Sequence, residues 1–369
     1  MQSPRWREIA DDLSFEISTG KYGPGDQLPS AAALAEATSV SRLTANRALE
    51  ELQRQGAVVR DGRRGTVVAP RAKRRTGRIA LIVDQIDHIQ NFPRPELLAG
   101  IHDGLGDEFN LLLCDAKADP KREIDLLNQM ADECDGILCW STDGSRAGEA
   151  MNRLRAKGIP LVLLDRIPDG ALADAVVPDS VNATREALEY LIAEGHTRIA
   201  LFTFDKPDVS TVVERCSTYE AIMAEHGLET NGLVRKFAPS LEVSDRAYFD
   251  QAVSDALFAM ARSENPVTAV LCIQDLIGYA VLAGAENLGL EIPNQLEVVT
   301  FNDWPPIWLR RPWQAHRITI LPEQMGSKAI ELLRAQIDGQ STEHGTYRIP
   351  AKFVAVDGLF SSDSIRTQS

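Results

Sequence analysis

At 369 residues the chain is too long for one small domain and suits two or three. Its 44% hydrophobic and 25% charged residues describe an ordinary globular protein, and no run of about 18 apolar residues offers a membrane-spanning helix. The net charge of −14 speaks against a polyanionic partner for the chain as a whole, but residues 1–78 hold 14 Lys and Arg against 9 Asp and Glu, while the rest holds 25 against 44. A basic front on an acidic body confines any nucleic-acid contact to the front.

The opening, MQSPRWREIADDL, is charged and helically periodic from its first turn, unlike a secretory signal, so a cytoplasmic protein is expected. The five cysteines (Cys114, Cys134, Cys139, Cys216 and Cys272) show no CxxC and no metal-ligand spacing, and they read as buried structural thiols. Apolar residues at 6, 9, 10, 13 and 17 predict a first helix. The turn-forming stretch GKYGPGDQLPS follows, and Ser30 stands as N-cap of a short helix AAALAEA with Leu34 inward. Ser41 caps the next helix. On a wheel, Ala45, Ala48, Leu49 and Leu52 form its buried seam. Leu43, Asn46, Arg47 and Glu50 take the opposite side, with Arg42 and Thr44 on the flanks. The cations crowd the N-terminal half of that helix, where the positive end of the dipole also favours an anionic surface. Arg bonds guanine edges or phosphates, Asn pairs with adenine, and Leu43 fits a thymine methyl. AVVRDGRRGTVVA then reads as two β segments around a turn with Arg63 and Arg64 at its tip. Helix, short helix, capped helix and basic hairpin together make a winged helix-turn-helix, its third helix directed to the major groove and its wing to backbone or minor groove.

These residues carry a resemblance. PGDQLPS (24–30), LAEATSVSRLTANRALEELQRQG (34–56) and GRRGTVV (62–68) resemble the GntR-type winged helix over residues 6–70. The resemblance implies double-stranded DNA as partner, with contacts from Ser30, Ser41, Arg42, Leu43, Thr44, Asn46, Arg47, Arg63, Arg64, Gly65 and Thr66. Asn46 stands where that family more often has arginine, and Ala31 where it more often has an acid.

Residues 71–77, RAKRRTG, form a basic linker, and beyond it the texture changes. RIALIVD (78–84), FNLLLCD (109–115), DGILCW (135–140), IPLVLLD (159–165), RIALFTF (198–204), VTAVLCI (267–273) and LEVVTF (296–301) are apolar runs of strand length. Helical stretches such as EIDLLNQMADE, SVNATREALEYLIAEG and GYAVLAGAENLG separate them, which predicts parallel sheets covered on both faces. Nearly 290 residues exceed one such sheet, so two α/β lobes with a ligand cleft beyond the strand ends are expected. Carboxylates, amides, a guanidinium and aromatic faces stand at those ends: Asp84 and Gln85, Trp140 and Ser141, Asp165 and Arg166, Gln274 and Asp275, Asn302 and Asp303. Such a set suits a polyhydroxylated ligand, whose hydroxyls both donate and accept.

GIPLVLLDR (158–166), ALEYLIAEGHTRIALFT (187–203), ERCSTYEAIMAEHGL (214–228) and the stretch 269–303 resemble the LacI/GalR effector-binding domain, built like type I periplasmic sugar-binding proteins. The resemblance covers about 78–360, with chain crossings between lobes near 178, 303 and 322 and a tail at 361–369. It implies an effector set of Asp84, Phe92, Trp140, Asp165, Arg166, Arg215, Gln274 and Asn302, the last two standing where Asn and Asp are more common. Trp304, Trp308 and Trp313 cluster near the middle crossing and suit hinge or dimer packing better than sugar stacking. A GntR-like head on a LacI-like body is the arrangement of AraR-type sugar-responsive repressors. The whole reads as a homodimeric, allosteric repressor of carbohydrate-use genes, binding a palindromic operator and a sugar effector. A purine or other non-sugar effector, or an activator, is the alternative. Neither cofactor nor metal is expected. The body shows no P-loop, GxSxG, HExxH or nucleophile–His pair, so no enzyme is expected.

Overall fold

A computed structural model of the chain describes residues 4–18, 21–23, 25–54, 56–62, 64–69, 75–86, 93–142, 145–238, 246–301, 315–340 and 345–356. Arg63, Phe92, Asn302, Trp304, Trp308, Trp313, most of the basic linker and the tail therefore lie outside the described residues.

The head comprises α1 (Arg5–Ser18), α2 (Ala31–Thr38), α3 (Arg42–Arg54), β1 (Val58–Asp61) and β2 (Gly65–Val68). Local chemistry sets the helix starts. The Ser30 hydroxyl accepts from the Ala33 N–H at 3.3 Å and the Ser41 hydroxyl from the Thr44 N–H at 3.1 Å. Each cap satisfies a donor that the first helical turn leaves over, a contribution of about 1 kcal/mol. Between the two helices Ser39 adopts a left-handed conformation (φ 54°), which closes α2 and turns the chain into α3. Ala45, Ala48, Leu49 and Leu52 are buried against α1 and α2, as the wheel predicts. The β1–β2 hairpin is antiparallel, and the 25–28 stretch lies along it: the Leu28 N–H donates to Thr66 O and the Val68 N–H to Asp26 O.

The body consists of two six-stranded sheets. The first lobe has strand order β13-β7-β6-β5-β3-β4, where β3 is Arg78–Val83, β4 Asn110–Asp115, β5 Gly136–Trp140, β6 Leu161–Leu164, β7 Asp174–Pro178 and β13 Thr346–Ile349. The second has β14-β12-β11-β10-β8-β9, with β8 Ile199–Phe204, β9 Val234–Phe237, β10 Ala269–Cys272, β11 Glu297–Phe301, β12 His316–Thr319 and β14 Lys352–Val354. Every pairing is parallel except that of β12 with the edge strand β14. The central strands are buried on both faces, which is why they read as unbroken apolar runs. Helices α4 (Pro95–Leu105), α5 (Pro120–Glu133), α6 (Ser145–Ala156) and α11 (Pro322–Ile337) cover the first sheet. α7 (Ser180–Ala193), α8 (Ser210–Glu225), α9 (Arg246–Ala261) and α10 (Asp275–Asn287) cover the second.

One expectation is corrected. The chain does not cross between lobes near 303, because β11 and β12, on either side of that stretch, lie side by side in the second sheet. The crossings fall between β7 and α7 near 178, between β12 and α11 near 321, and between β13 and β14 near 350. The apolar run ending at Phe301 gave no sign that the next strand, HRIT, would stay with it.

α4 and α11 approach closely because three glycines line their contact. A Cβ built on Gly100 would lie 2.0 Å from Glu323 O, one on Gly326 2.5 Å from Leu97 O, and one on Gly104 2.1 Å from the Ile330 side chain. The Gly100 and Gly326 collisions are with backbone, which no rotamer change relieves. Gly100→Ala is expected to destabilise the protein by about 2–3 kcal/mol. Thermal unfolding measures this, and an unchanged midpoint would show that the helices can separate at no cost.

Candidate effector cleft and nucleic-acid interface

α3 presents its N-terminal half outward. Leu43 is 77% exposed, Arg42, Arg47 and Glu50 are exposed, and Thr44 and Asn46 are half-buried beside them. Neither Arg42 nor Arg47 has a carboxylate partner among the described residues, whereas Arg54, at the far end of the helix, is paired with Glu51 at 2.7 Å. Unneutralised cations stand at the helix start and paired ones at its end, and the start also carries the free N–H groups. Thr44 is partly held, its hydroxyl 2.8 Å from that of Ser41. Arg64 and Gly65 are exposed at the wing, with Thr66 half-buried behind them. Gly65 has φ 79°, the left-handed conformation that lets β2 begin directly after the turn.

The cleft lies at the carboxyl ends of the strands. After β6 the chain turns sharply: Asp165 has φ 62°, unusual for a residue with a Cβ, while its N–H still donates to Val176 O at 2.8 Å. The turn is locally unfavourable, a common property of residues aimed into a functional site. Asp165 is 7% exposed, and its carboxylate takes no hydrogen bond from the described residues; the nearest cation is the Arg166 Nε at 3.7 Å. Burial pushes its pKa up, partly opposed by Arg166 and Arg215.

Arg215, on α8 of the second lobe, is likewise 7% exposed. Its Nε donates to Ser180 Oγ at 3.3 Å and one terminal nitrogen to Ile273 O at 2.8 Å, and the guanidinium lies 3.9 Å above the Phe301 ring. None of these partners is anionic, so burial lowers its pKa to about 10, with Asp165 the first opposing influence. A guanidinium has five N–H groups, and the other terminal nitrogen has no partner among the described residues. Asp165 and Arg215 thus bring an open acceptor and an open donor to one cleft from different lobes.

Two further candidates, Arg166 and Asp84, are engaged with each other. Arg166 donates to Asp84 Oδ2 at 2.9 Å and to Ser141 O at 3.1 Å, so Arg166 and Asp84 brace the strand ends together. Trp140 packs partly against the first-lobe core. Gln274 precedes α10 in an extended conformation and makes no side-chain cap bond to that helix.

Sequence reasoning missed the groups that join the lobes. Arg94, at the start of α4, reaches Asp275 of α10 at 3.5 Å, and the two side chains are only 11% and 9% exposed. The Ile167 N–H donates to Ser210 Oγ at 2.9 Å, and Arg348 on β13 pairs with Glu214 on α8 at 2.6 Å. Arg94 stands two residues past Phe92 in the sequence, and only the fold shows that it faces α10. Also unforeseen is Glu123, a fully buried carboxylate that accepts from the Ser141 hydroxyl at 2.6 Å and from the Thr142 N–H and hydroxyl, fixing the loop after β5.

Comparison with known proteins agrees with this geometry. Residues 6–68 match the model of bacterial regulatory proteins of the gntR family, and residues 188–355 match that of the periplasmic binding protein-like domain. The chain is 27% identical to the HTH-type transcriptional regulator KdgR of Bacillus subtilis over 67% of its length and 70% of that protein. It is 23% identical to the arabinose metabolism transcriptional repressor of Geobacillus stearothermophilus, over 92% of this chain and 93% of that one. Among solved structures, the transcriptional regulator CelR in complex with cellobiose is 22% identical and superposes with a TM-score of 0.63, covering 96% of this chain and 99% of that one, a likeness of fold. No helix among the described residues is long and apolar enough to cross a membrane.

The unfavourable burial of the Asp165 charge has a measurable consequence. Because its folded pKa lies above its ordinary value, the cost is absent at low pH, sets in as pH rises past the ordinary carboxylate pKa and is complete once pH exceeds the folded one. Asp165→Asn removes the charge and keeps the shape, so at neutral pH the ligand-free variant is expected to melt about 2 °C higher than the parent. A lower midpoint would show that the charge is stabilised by its guanidinium neighbours after all.

Proposed function

We propose that this chain, which joins a gntR-family winged helix-turn-helix to a periplasmic-binding-protein-like body, is a homodimeric transcriptional repressor controlled by a sugar or sugar derivative. The observation that carries the reading is the pairing of two features in one chain. A helix start with unneutralised cations precedes a two-lobed cleft whose open acceptor and open donor, Asp165 and Arg215, come from different lobes. The names of the relatives point the same way, since KdgR and the arabinose metabolism repressor are regulators and not enzymes.

In this reading the DNA contacts come from Ser30, Ser41, Arg42, Leu43, Thr44, Asn46 and Arg47 and, on the wing, from Arg63 to Thr66. Arg42, Arg47 and Arg64 supply phosphate attraction or guanine recognition, and Asn46 reads a base edge. Two heads on a paired body meet a palindrome with half-sites about one helical turn apart. The effector's hydroxyls donate to Asp165 and accept from Arg215, with Trp140, Gln274, Phe92 and Asn302 completing the wall. Arg166 holds Asp84 in place. A ligand that bonds both lobes binds the closed form better than the open one, and that difference in affinity is what moves the equilibrium. The domains follow: a head over 1–70, a linker over 71–77 and an effector and pairing body over 78–360, working in the cytoplasm.

Two measurements test this. Arg47→Ala is expected to weaken operator binding about fivefold and to lower the slope of log affinity against log salt by about 1. Calorimetry with pentoses, hexoses, sugar phosphates and purines identifies the ligand, which at saturation is expected to change operator affinity by about 5- to 150-fold. An unchanged grip on the operator with the cleft filled would overturn the allosteric reading, and a purine as ligand would overturn the sugar.

A further inference from the structure

The end of the first lobe opposite the cleft receives the chain from the head. β3 begins there at Arg78, β5 begins there at Gly136, and α11 ends there at Ile337. Asp135, in the turn between α5 and β5, is 7% exposed. Its two carboxylate oxygens accept from consecutive backbone N–H groups, Thr76 at 2.9 Å and Gly77 at 2.8 Å. Its own N–H donates to Arg78 O at 2.8 Å. One residue further back, Arg75 pairs with Asp338 at 2.5 Å, just beyond the last turn of α11. Gly77 has φ 66°, its carbonyl accepts from the Asn110 N–H at 2.8 Å, and a Cβ on it would lie 3.3 Å from Glu108 O.

A segment that only connects two domains needs none of this. A carboxylate with 7% exposure loses most of its hydration, a cost offset only by charge-assisted bonds such as the two it receives here. Two adjacent N–H groups require two acceptor atoms held in one plane. A carboxylate supplies both, whereas an amide supplies one and turns a donor toward the other. The result is that residues 75–77 are held to three separate pieces of the first lobe: the α5–β5 turn, the end of α11 and the start of β4.

We propose that Asp135, assisted by Asp338, is the positioning clamp that makes the base of the linker part of the first lobe's rigid body, so that the pair of bodies sets the separation of the two heads. This rests on the regulator reading above. Without the clamp, each tether gains three freely rotating residues. Because the reach of a flexible chain grows as about 5–6 Å times the square root of its length, the heads then tolerate spacings that the clamped pair rejects.

The experiment uses the full chain and half-sites that the parent protein itself selects from random duplex DNA, rebuilt as palindromes of varied spacing and as single half-sites. The parent is expected to lose about tenfold in affinity when one half-site is moved by half a helical turn. Asp135→Asn is expected to reduce that discrimination to about threefold or less, with binding to a single half-site unchanged within about twofold. Asp338→Ala, at a half-exposed position, is expected to shift discrimination the same way to a smaller extent, and it decides the matter alone if Asp135→Asn does not fold. A merely structural role would lower the melting temperature and single-site affinity together and leave the spacing preference intact. Folded variants that keep the parent's spacing preference would overturn the clamp and leave the regulator reading standing. A parent protein that selects no DNA would remove both.

Discussion

Two separately packed cores joined by three chain crossings constrain everything this body can do. Each lobe buries its own central strands on both faces, so neither deforms without loss of packing. The crossings near 178, 321 and 350 are short, and they leave rigid-body movement of one lobe against the other as the soft direction. The polar groups that meet across the gap among the described residues are Arg94 with Asp275, Glu214 with Arg348 and Ile167 with Ser210, and Asp165 and Arg215 stand on either side of it without a bond to each other. The first three close the lobes with the chain's own atoms. The last two keep hydrogen-bonding capacity that no described residue of the chain takes up.

Burial gives Asp165 and Arg215 their leverage. Each lies in the other's field, Asp165 meets a cation only at 3.7 Å, and burial raises the pKa of Asp165 and lowers that of Arg215. A ligand hydroxyl bonded to both restores part of the solvation each has lost, and does so in a region where electrostatic contacts are weakly screened. Around them the supports are linked: Glu123 fixes the loop that carries Ser141, Ser141 O receives Arg166, and Arg166 holds Asp84.

Much of this was legible in the sequence wherever burial imposes a pattern. β3, β5, β8 and β10 are continuous apolar runs because both faces of a central parallel strand are covered. The seam of α3 and its capping serine follow from the sequence alone, because 3.6-residue periodicity and N-cap chemistry are local. β9, β13 and β14 are edge strands of three or four residues, all partly or fully exposed except Phe237, and so few residues do not distinguish a strand from a loop. β12 was missed for another reason. It begins with His316, which is buried beside Glu297 and His196 and reads as polar. That cluster also gives the EGHTRIA stretch a physical role, since His196 reaches Thr268 at 2.7 Å and Glu297 at 3.2 Å and so ties the entry to β8 to the starts of β10 and β11.

In the cleft, strand-end position identified Asp84, Asp165 and Arg166 but not the division of labour among them, because a pairing such as that of Arg166 with Asp84 spans 82 residues of sequence. The same limit hid Arg94, Glu123 and Asp135. Each is a charged residue of ordinary appearance whose importance arises only when the fold removes its water and leaves a specific set of partners. Asp135 shows the point most sharply. In the sequence it is one acid in ADECDG, a turn before a strand, and in the fold it is the atom pair through which the lobe grips the chain arriving from the head. Charges that a fold buries with few or distant ionic partners are therefore the ones to examine first here: Asp165 and Arg215 lie at the strand ends of the two lobes, and Asp135 faces the linker.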